Sequence, residues 1–291
     1  MAKPDHFALP DGTPVYILHE DRAAMAIDKP PGWMLGPDDW EHADRNLHLL
    51  LVDLLKERPF WVRSRNLRFL RHVHRLDAGT SGILLLSKSL GAIQSYSKLF
   101  ASREVAKTYL AVTAGVPTRE QWICRDPLGP VAGDPGRHRV DLKEGKPAET
   151  EFRVLSRQGG RALIEAHPYT GRTHQIRLHL LAAGCPVVGD DLYGRADSAP
   201  AGPGQKLGLR AVGLSYQDPF LRRPVRITAP AADFLSRFGF SEAGSEKSPP
   251  ALAPKDVQPL ASIEKGRITS SRKSAPQSQA RKANSSSRAG H

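Results

Sequence analysis

The residues with the clearest chemical potential lie in one short stretch, His74-Arg75-Leu76-Asp77-Ala78-Gly79-Thr80-Ser81-Gly82. A guanidinium, a carboxylate and two small hydroxyls are spaced through a turn, where Gly79 and Gly82 permit unusual backbone angles and close approach of a ligand. The apolar run Ile83 to Leu86 that follows reads as a short buried strand. A carboxylate at the mouth of such a strand either caps its own loop or acts on a substrate, and spacing by itself leaves both readings open. Ser81 does not sit in a nucleophile elbow: that turn needs glycine two residues to either side, and position 83 is Ile. The two cysteines, Cys124 and Cys185, lie in no paired metal-ligand spacing, so neither a disulfide framework nor a zinc site is suggested.

Positioning such a loop takes a scaffold, and hydrophobic periodicity supplies one. Val15 to His19 and Ala24 to Asp28 read as strands around a turn, broken afterwards by Lys29-Pro30-Pro31-Gly32. Leu47, Leu50, Leu51, Leu54 and Leu55 recur at helical spacing within 46–58. The arginine-dense stretch from Trp61 to Arg71 has the composition either of a segment that tracks a phosphate backbone or of a basic, solvated loop. Ser89 is the expected N-cap of a helix ending near Ala101. Val105 to Thr113 alternates as a strand that sends Val105, Lys107, Tyr109 and Ala111 to one face. Residues 117–147, rich in glycine, proline and charge, suggest an exposed, mobile hairpin or insertion loop. Thr150 to Leu155 and Arg161 to His167 then form a hairpin through Gly159-Gly160. A helix follows Gly171 and runs to about Ala183, with Ile176, Leu180 and Leu181 on its buried side. Closing strands are expected at 207–216 and 225–229, and a last helix at 231–240.

The 291-residue chain carries a formal charge of +12 and a pI near 9.9. That balance favours a polyanionic partner, nucleic acid or an acidic membrane surface. No signal-peptide core or run of membrane-spanning length is present, so a cytoplasmic protein with no membrane attachment is expected. From residue 244 onward aromatic residues are absent, and nine basic residues face three acidic ones, a surplus equal to half the chain's net charge. Such a segment buries too little apolar surface to offset its ordering entropy. The expected organisation is therefore a globular domain over 1–243 and a disordered basic tail over 244–291.

Taken together, the motifs resemble those of the RluA-type RNA pseudouridine synthases. Residues 74–82 meet every fixed position of that family's His-Arg-Leu-Asp-x-x-Thr-Ser-Gly pattern. Asp28, Lys29, Pro30 and Gly32 match its first motif, and Lys107-Thr108-Tyr109 its lysine-x-tyrosine strand. Gly171-Arg172-Thr173-His174-Gln175-Ile176-Arg177 and Gly189-Asp190-Asp191-Leu192-Tyr193-Gly194 match two further motifs. The likeness covers roughly residues 15 to 240. It departs at Arg210, where the family usually has histidine, and at Cys185.

The resemblance implies a single α+β catalytic domain with a mixed, mostly antiparallel sheet flanked by helices. It also implies isomerisation of specific uridines in structured rRNA or tRNA, without a cofactor or an obligate protein partner, by a monomer. Asp77 would be the essential carboxylate, acting either as nucleophile or in deprotonating the sugar, with Arg177 as its charge partner. Tyr109 would stack on the uracil and assist proton movement at C5. Arg75 would fill the stack vacated by the extruded nucleotide. Thr80 and Ser81 would hold the loop or touch phosphate, Lys29 and Arg172 would meet the RNA, and His74 and His174 would serve as loop hydrogen-bonding groups.

Overall fold

The computed structural model describes residues 2–36, 45–194 and 206–241. The expected tail, 244–291, lies outside the described residues. Strands β1 (His6–Ala8), β2 (Pro14–Glu20) and β3 (Ala24–Lys29) lead to helices α1 (Leu47–Glu57) and α2 (Phe60–Arg63). Strands β4 (Arg71–His72) and β5 (Ser81–Ser87) flank the Asp77 loop, and α3 (Leu90–Ala101) and β6 (Ala106–Ala114) follow. Then come β7 (Gln121–Cys124), β8 (Leu128–Val131), β9 (Asp134–Val140), β10 (Thr150–Gln158), β11 (Arg161–Pro168) and α4 (Gln175–Ala182). The described chain closes with β12 (Leu209–Gln217), β13 (Pro224–Thr228) and α5 (Ala232–Arg237).

Eleven strands form one sheet with the main path β1-β2-β3-β5-β12-β6-β11-β10-β7, while β4 pairs with β5, β13 with β12, and β8 with β9 in a separate ribbon. Every pairing is antiparallel except β5 with β12. The sheet is therefore mixed and mostly antiparallel, and the domain is α+β. Strand β5 is buried at all seven positions. Leu84 and Leu86 enter the core beneath α1, whereas Ile83 and Leu85 enter the one containing Tyr96 and Tyr216. Alternation along one strand thus serves two apolar layers, which is why its sequence is a continuous apolar run.

Local sequence decides several boundaries. The Asn46 side chain accepts from the Leu49 N–H at the start of α1, and Ser89 accepts from the Ala92 N–H at the start of α3. Gly159 and Gly160, both at positive φ, turn β10 into β11. Three expectations need correction. Residues 117–147 are not a plain exposed loop: β7 extends the main sheet along β10, and Leu128 of the β8–β9 ribbon is buried with Leu178 and Tyr193. The glycine and proline content hid these anchors. The basic stretch after α1 is partly structural, because Trp61 and Val62 are buried and Arg65 is paired with Glu20 at 2.9 Å. In α4, Leu181 is exposed while Gln175 through Leu180 are buried, so the helix is enclosed on nearly every side. Among the described residues no helix is long and apolar enough to cross a membrane.

Gly82 is where the Asp77 loop meets the centre of the sheet. It has φ +108°, and a Cβ built on it would stand 2.0 Å from the Ala211 carbonyl oxygen of β12. Gly82→Ala should therefore lose more than ~4 kcal/mol of stability or fail to fold. Gly159→Ala, at φ +56° with open space around it, should cost only about 1–2 kcal/mol. Denaturant unfolding of the two variants checks the contrast.

Candidate active site

The Asp77 loop is held from below by a buried lysine. Lys29, fully buried at the end of β3, donates from Nζ to the carbonyl oxygens of Pro30, Ala78 and Thr80 at 3.1, 3.0 and 2.9 Å. Ala78 O also accepts from the Gly32 N–H, and the Thr80 N–H donates to Asp77 O. Burial pushes the Lys29 ammonium down to about 7, while the Asp77 charge pulls the other way. Lys29 therefore faces the loop backbone and is no phosphate contact. The Lys-Pro-Pro-Gly break seen in the sequence is the geometry that turns this lysine under Asp77.

Above the loop is a cleft of about 450 Å³. Arg75, Asp77, Thr80, Tyr109, Arg172, His174 and Arg177 all line it, as do Lys107 and Arg103. Ser81 does not; it lies in β5, 9 % exposed and paired with Arg210 of β12, so its expected phosphate contact is corrected as well. Thr80 is buried, and its Oγ1 has no partner among the described residues although it borders the cleft. Arg172 donates from Nε to Pro147 O. Arg75 is exposed at the rim.

Arg177 lies between two loops that the sequence separates widely. Its Nη1 approaches Asp77 Oδ2 at 3.4 Å. The stronger contact is with Asp190, whose two oxygens accept from Nε at 2.7 Å and Nη2 at 2.6 Å in a bidentate pair. Asp190 Oδ1 also accepts from the N–H groups of Leu192 and Tyr193, which locks its own turn. The Tyr193 ring lies under the guanidinium, 5.0 Å from Cζ. Burial opposes the Arg177 charge, but the Asp190 hydrogen bonds and charge, then Asp77 and Asp191, more than compensate and raise its pKa. Arg177 is thus a permanent cation beside Asp77. Asp190 was not singled out by sequence reasoning, although its Gly-Asp-x-x-Tyr-Gly context was visible.

Tyr109 is buried in β6, and burial together with the Asp77 charge raises its phenol pKa, so it faces the cleft as a protonated hydroxyl. Lys107, two residues earlier on the same face, donates to Thr170 O at 2.9 Å; burial, followed by the nearby Arg103 charge, lowers it to about 8. His74 accepts from the Leu85 N–H through Nε2 and stacks on Phe100; burial pushes it down to about 3. It is a loop support. His174 is different, for its ring borders the cleft with Nε2 4.0 Å from Asp77 Oδ1. Arg210, the departure from the motif, makes a bidentate pair with Asp28 at 3.0 and 2.6 Å and donates to Pro230 O. It does not line the cleft, so its place is in the scaffold. Cys185 is a buried core residue with a free thiol.

A carboxylate pinned against a permanent cation, beside an aromatic wall in a basic cleft, suits chemistry at a sugar carbon with a planar base held alongside. Comparison with known proteins agrees. Residues 24–182 match the family model described as RNA pseudouridylate synthase. The chain is 35 % identical over 228 residues to the ribosomal large subunit pseudouridine synthase C of Escherichia coli O157:H7, covering 76 % of this chain and 68 % of that protein. The protein of the same name from Vibrio vulnificus is 32 % identical over 228 residues, with 76 % and 67 % covered. Among solved structures, human RNA pseudouridylate synthase domain containing 1 superposes with a TM-score of 0.58 at 26 % identity, covering 74 % of this chain and 83 % of that one.

Two consequences of this geometry can be measured. Asp190→Asn removes the main counter-charge of a buried guanidinium and should cost about 3 kcal/mol of stability. It should lower turnover more than it lowers RNA affinity, as read by denaturant unfolding and single-turnover assays. Lys29→Met should loosen the Asp77 loop and change the pH dependence of stability. With a folded pKa of about 7 against 10.5 unfolded, Lys29 binds fewer protons when folded. Its contribution to stability therefore rises with pH across that window. Wild type should gain on the Lys29→Met variant between pH 7 and 10, and parallel stability curves would contradict this.

Proposed function

We propose, from the premise that this chain belongs to the RNA pseudouridylate synthase family, that Asp77 is its essential carboxylate and that Arg177 and Tyr109 complete the catalytic group. The chain is an RNA pseudouridine synthase, isomerising uridine to pseudouridine in RNA. In that reaction the N1–C1′ bond breaks, the uracil turns, and a C5–C1′ bond forms; the C5 proton is lost and N1 gains one. The observation that carries the assignment of roles is the shared cleft, in which Asp77 stands against Arg177 with Tyr109 close by.

Arg177 keeps one edge of the Asp77 carboxylate occupied, which leaves Oδ1 as the oxygen presented to the sugar, whether it attacks C1′ or removes a sugar proton. Tyr109 supplies a flat wall for the displaced uracil, and its protonated phenol can donate to a uracil carbonyl. Arg75, at the rim two residues before Asp77, fits the position vacated when the nucleotide is extruded. The Arg172 side chain lines the same space and fits a contact to the RNA backbone, while Thr80, whose Oγ1 is buried, fits the role of holding the loop. The substrate we favour is ribosomal RNA, in line with the relatives named as large-subunit synthases. The cleft is built by a single chain, which suits a monomer, and two free cysteines suit the cytoplasm.

Pseudouridine mapping of total RNA tests this directly, using cells with the gene intact, deleted, or restored as wild type or Asp77→Asn. One or a few sites should vanish on deletion and return only with wild type. The purified Asp77→Asn variant should bind the mapped RNA as wild type does while turning over at least about 10³-fold more slowly. Turnover that survives the substitution would remove Asp77 from the chemistry.

A further inference from the structure

His174 stands out as a strained residue facing the reacting carboxylate. Its backbone lies in the left-handed region, φ 54° and ψ 22°, immediately before α4. Conformations of this kind in residues other than glycine cost free energy and persist where the surroundings impose them, often at functional sites. Its side chain is held by Tyr193, whose hydroxyl lies 2.8 Å from His174 Nδ1. The same hydroxyl oxygen accepts from the His138 backbone N–H at 2.8 Å.

That arrangement favours one tautomer. The phenolic oxygen takes the His138 N–H, which leaves its own proton to donate to Nδ1 of His174. With Nδ1 accepting, the ring's own proton is assigned to Nε2. The charged and titratable groups around the ring are Asp77, Arg177, His138, Asp190 and Tyr193. Burial outweighs the attraction of Asp77 and lowers the pKa, so the imidazole is neutral at physiological pH. The result is an N–H donor 4.0 Å from Asp77 Oδ1.

The separation of that donor from Oδ1 is 4.0 Å, too long for a direct hydrogen bond. Two hydrogen bonds of about 2.9 and 2.7 Å that meet at one oxygen at roughly a right angle span about 4 Å. The gap therefore has the width of one shared hydroxyl. With Asp77 at the sugar, as the functional reading above has it, the hydroxyl carried beside C1′ is the ribose 2′-OH, the group by which proteins distinguish RNA from DNA.

We propose that His174 reads the 2′-hydroxyl of the target nucleotide, with Nε2–H donating to O2′ and the 2′-OH donating to Asp77 Oδ1, and that Tyr193 fixes the tautomer this requires. His174 touches substrate in this scheme, and Tyr193 acts through it as a positioning residue. The proposal rests on the assignment of Asp77 to the sugar.

The test uses two RNAs that carry the mapped target position as uridine or as 2′-deoxyuridine and are otherwise identical. Their affinities are compared by competition, which needs no turnover, and the pseudouridine product keeps its 2′-hydroxyl. Wild type should favour the ribose form. His174→Asn, chosen because asparagine tolerates the left-handed backbone, should reduce that preference by about five- to tenfold, the size of one hydrogen bond. Tyr193→Phe should reduce it in part. In the enzyme without RNA, nitrogen-15 NMR should find His174 neutral and protonated on Nε2, with the Nδ1 tautomer rising in Tyr193→Phe. An unchanged preference in His174→Asn, or an Nδ1–H or charged ring in wild type near pH 7.5, would overturn the proposal. Failure of the Asp77 assignment would show instead as turnover in Asp77→Asn, so the two results are distinguishable.

Discussion

The buried pair between Arg177 and Asp190 is the contact on which the rest of the cleft depends. A guanidinium 4 % exposed would be too costly to keep charged without a carboxylate at 2.6 to 2.7 Å. Bidentate geometry also fixes its plane, so the remaining nitrogen, Nη1, points to Asp77. The arrangement holds a cation beside the Asp77 carboxylate without letting that cation bind it tightly, since the Asp77 contact is the longer one. Asp77 keeps Oδ1 clear of the guanidinium, and the charge near it does not depend on pH in the working range.

Two other devices bring the loop to this cation. Lys29 gathers three carbonyl oxygens of surrounding backbone around one ammonium, tying the end of β3 to both sides of the turn after Asp77. Gly82 then lets β5 lie against β12 at a distance that no side chain permits. Both are backbone constraints, and both act from beneath the cleft. Arg210 with Asp28 performs scaffold work nearby, where β3 and β12 flank β5.

The cleft wall opposite is assembled from the β8–β9 ribbon and the turn after α4. Arg137 donates to Leu192 O, and the His138 N–H donates to Tyr193, so the ribbon braces the turn that carries Asp190 and Tyr193. A segment whose composition looked like loose loop is thereby part of what positions Arg177 and His174. Few apolar residues are needed for this: Leu128, with the partly buried Val140, packs against Leu178 and Tyr193.

Periodicity, capping and turn chemistry were enough to place most strands and helices, because each is decided by neighbours a few residues apart. The caps Asn46 and Ser89 and the Gly159-Gly160 turn show this. The resemblance of the motifs to a known family also singled out Asp77, Tyr109 and Arg177, which line one cleft in the structure. Sequence alone misassigned Lys29, because a lysine beside prolines reads as exposed until the fold shows three carbonyls converging on its ammonium. It likewise left Asp190 without a role and treated His174 as a loop support. Those residues act through contacts 13 to 51 positions apart along the chain, and direction, distance and burial across such gaps exist only once the sheet has closed around them.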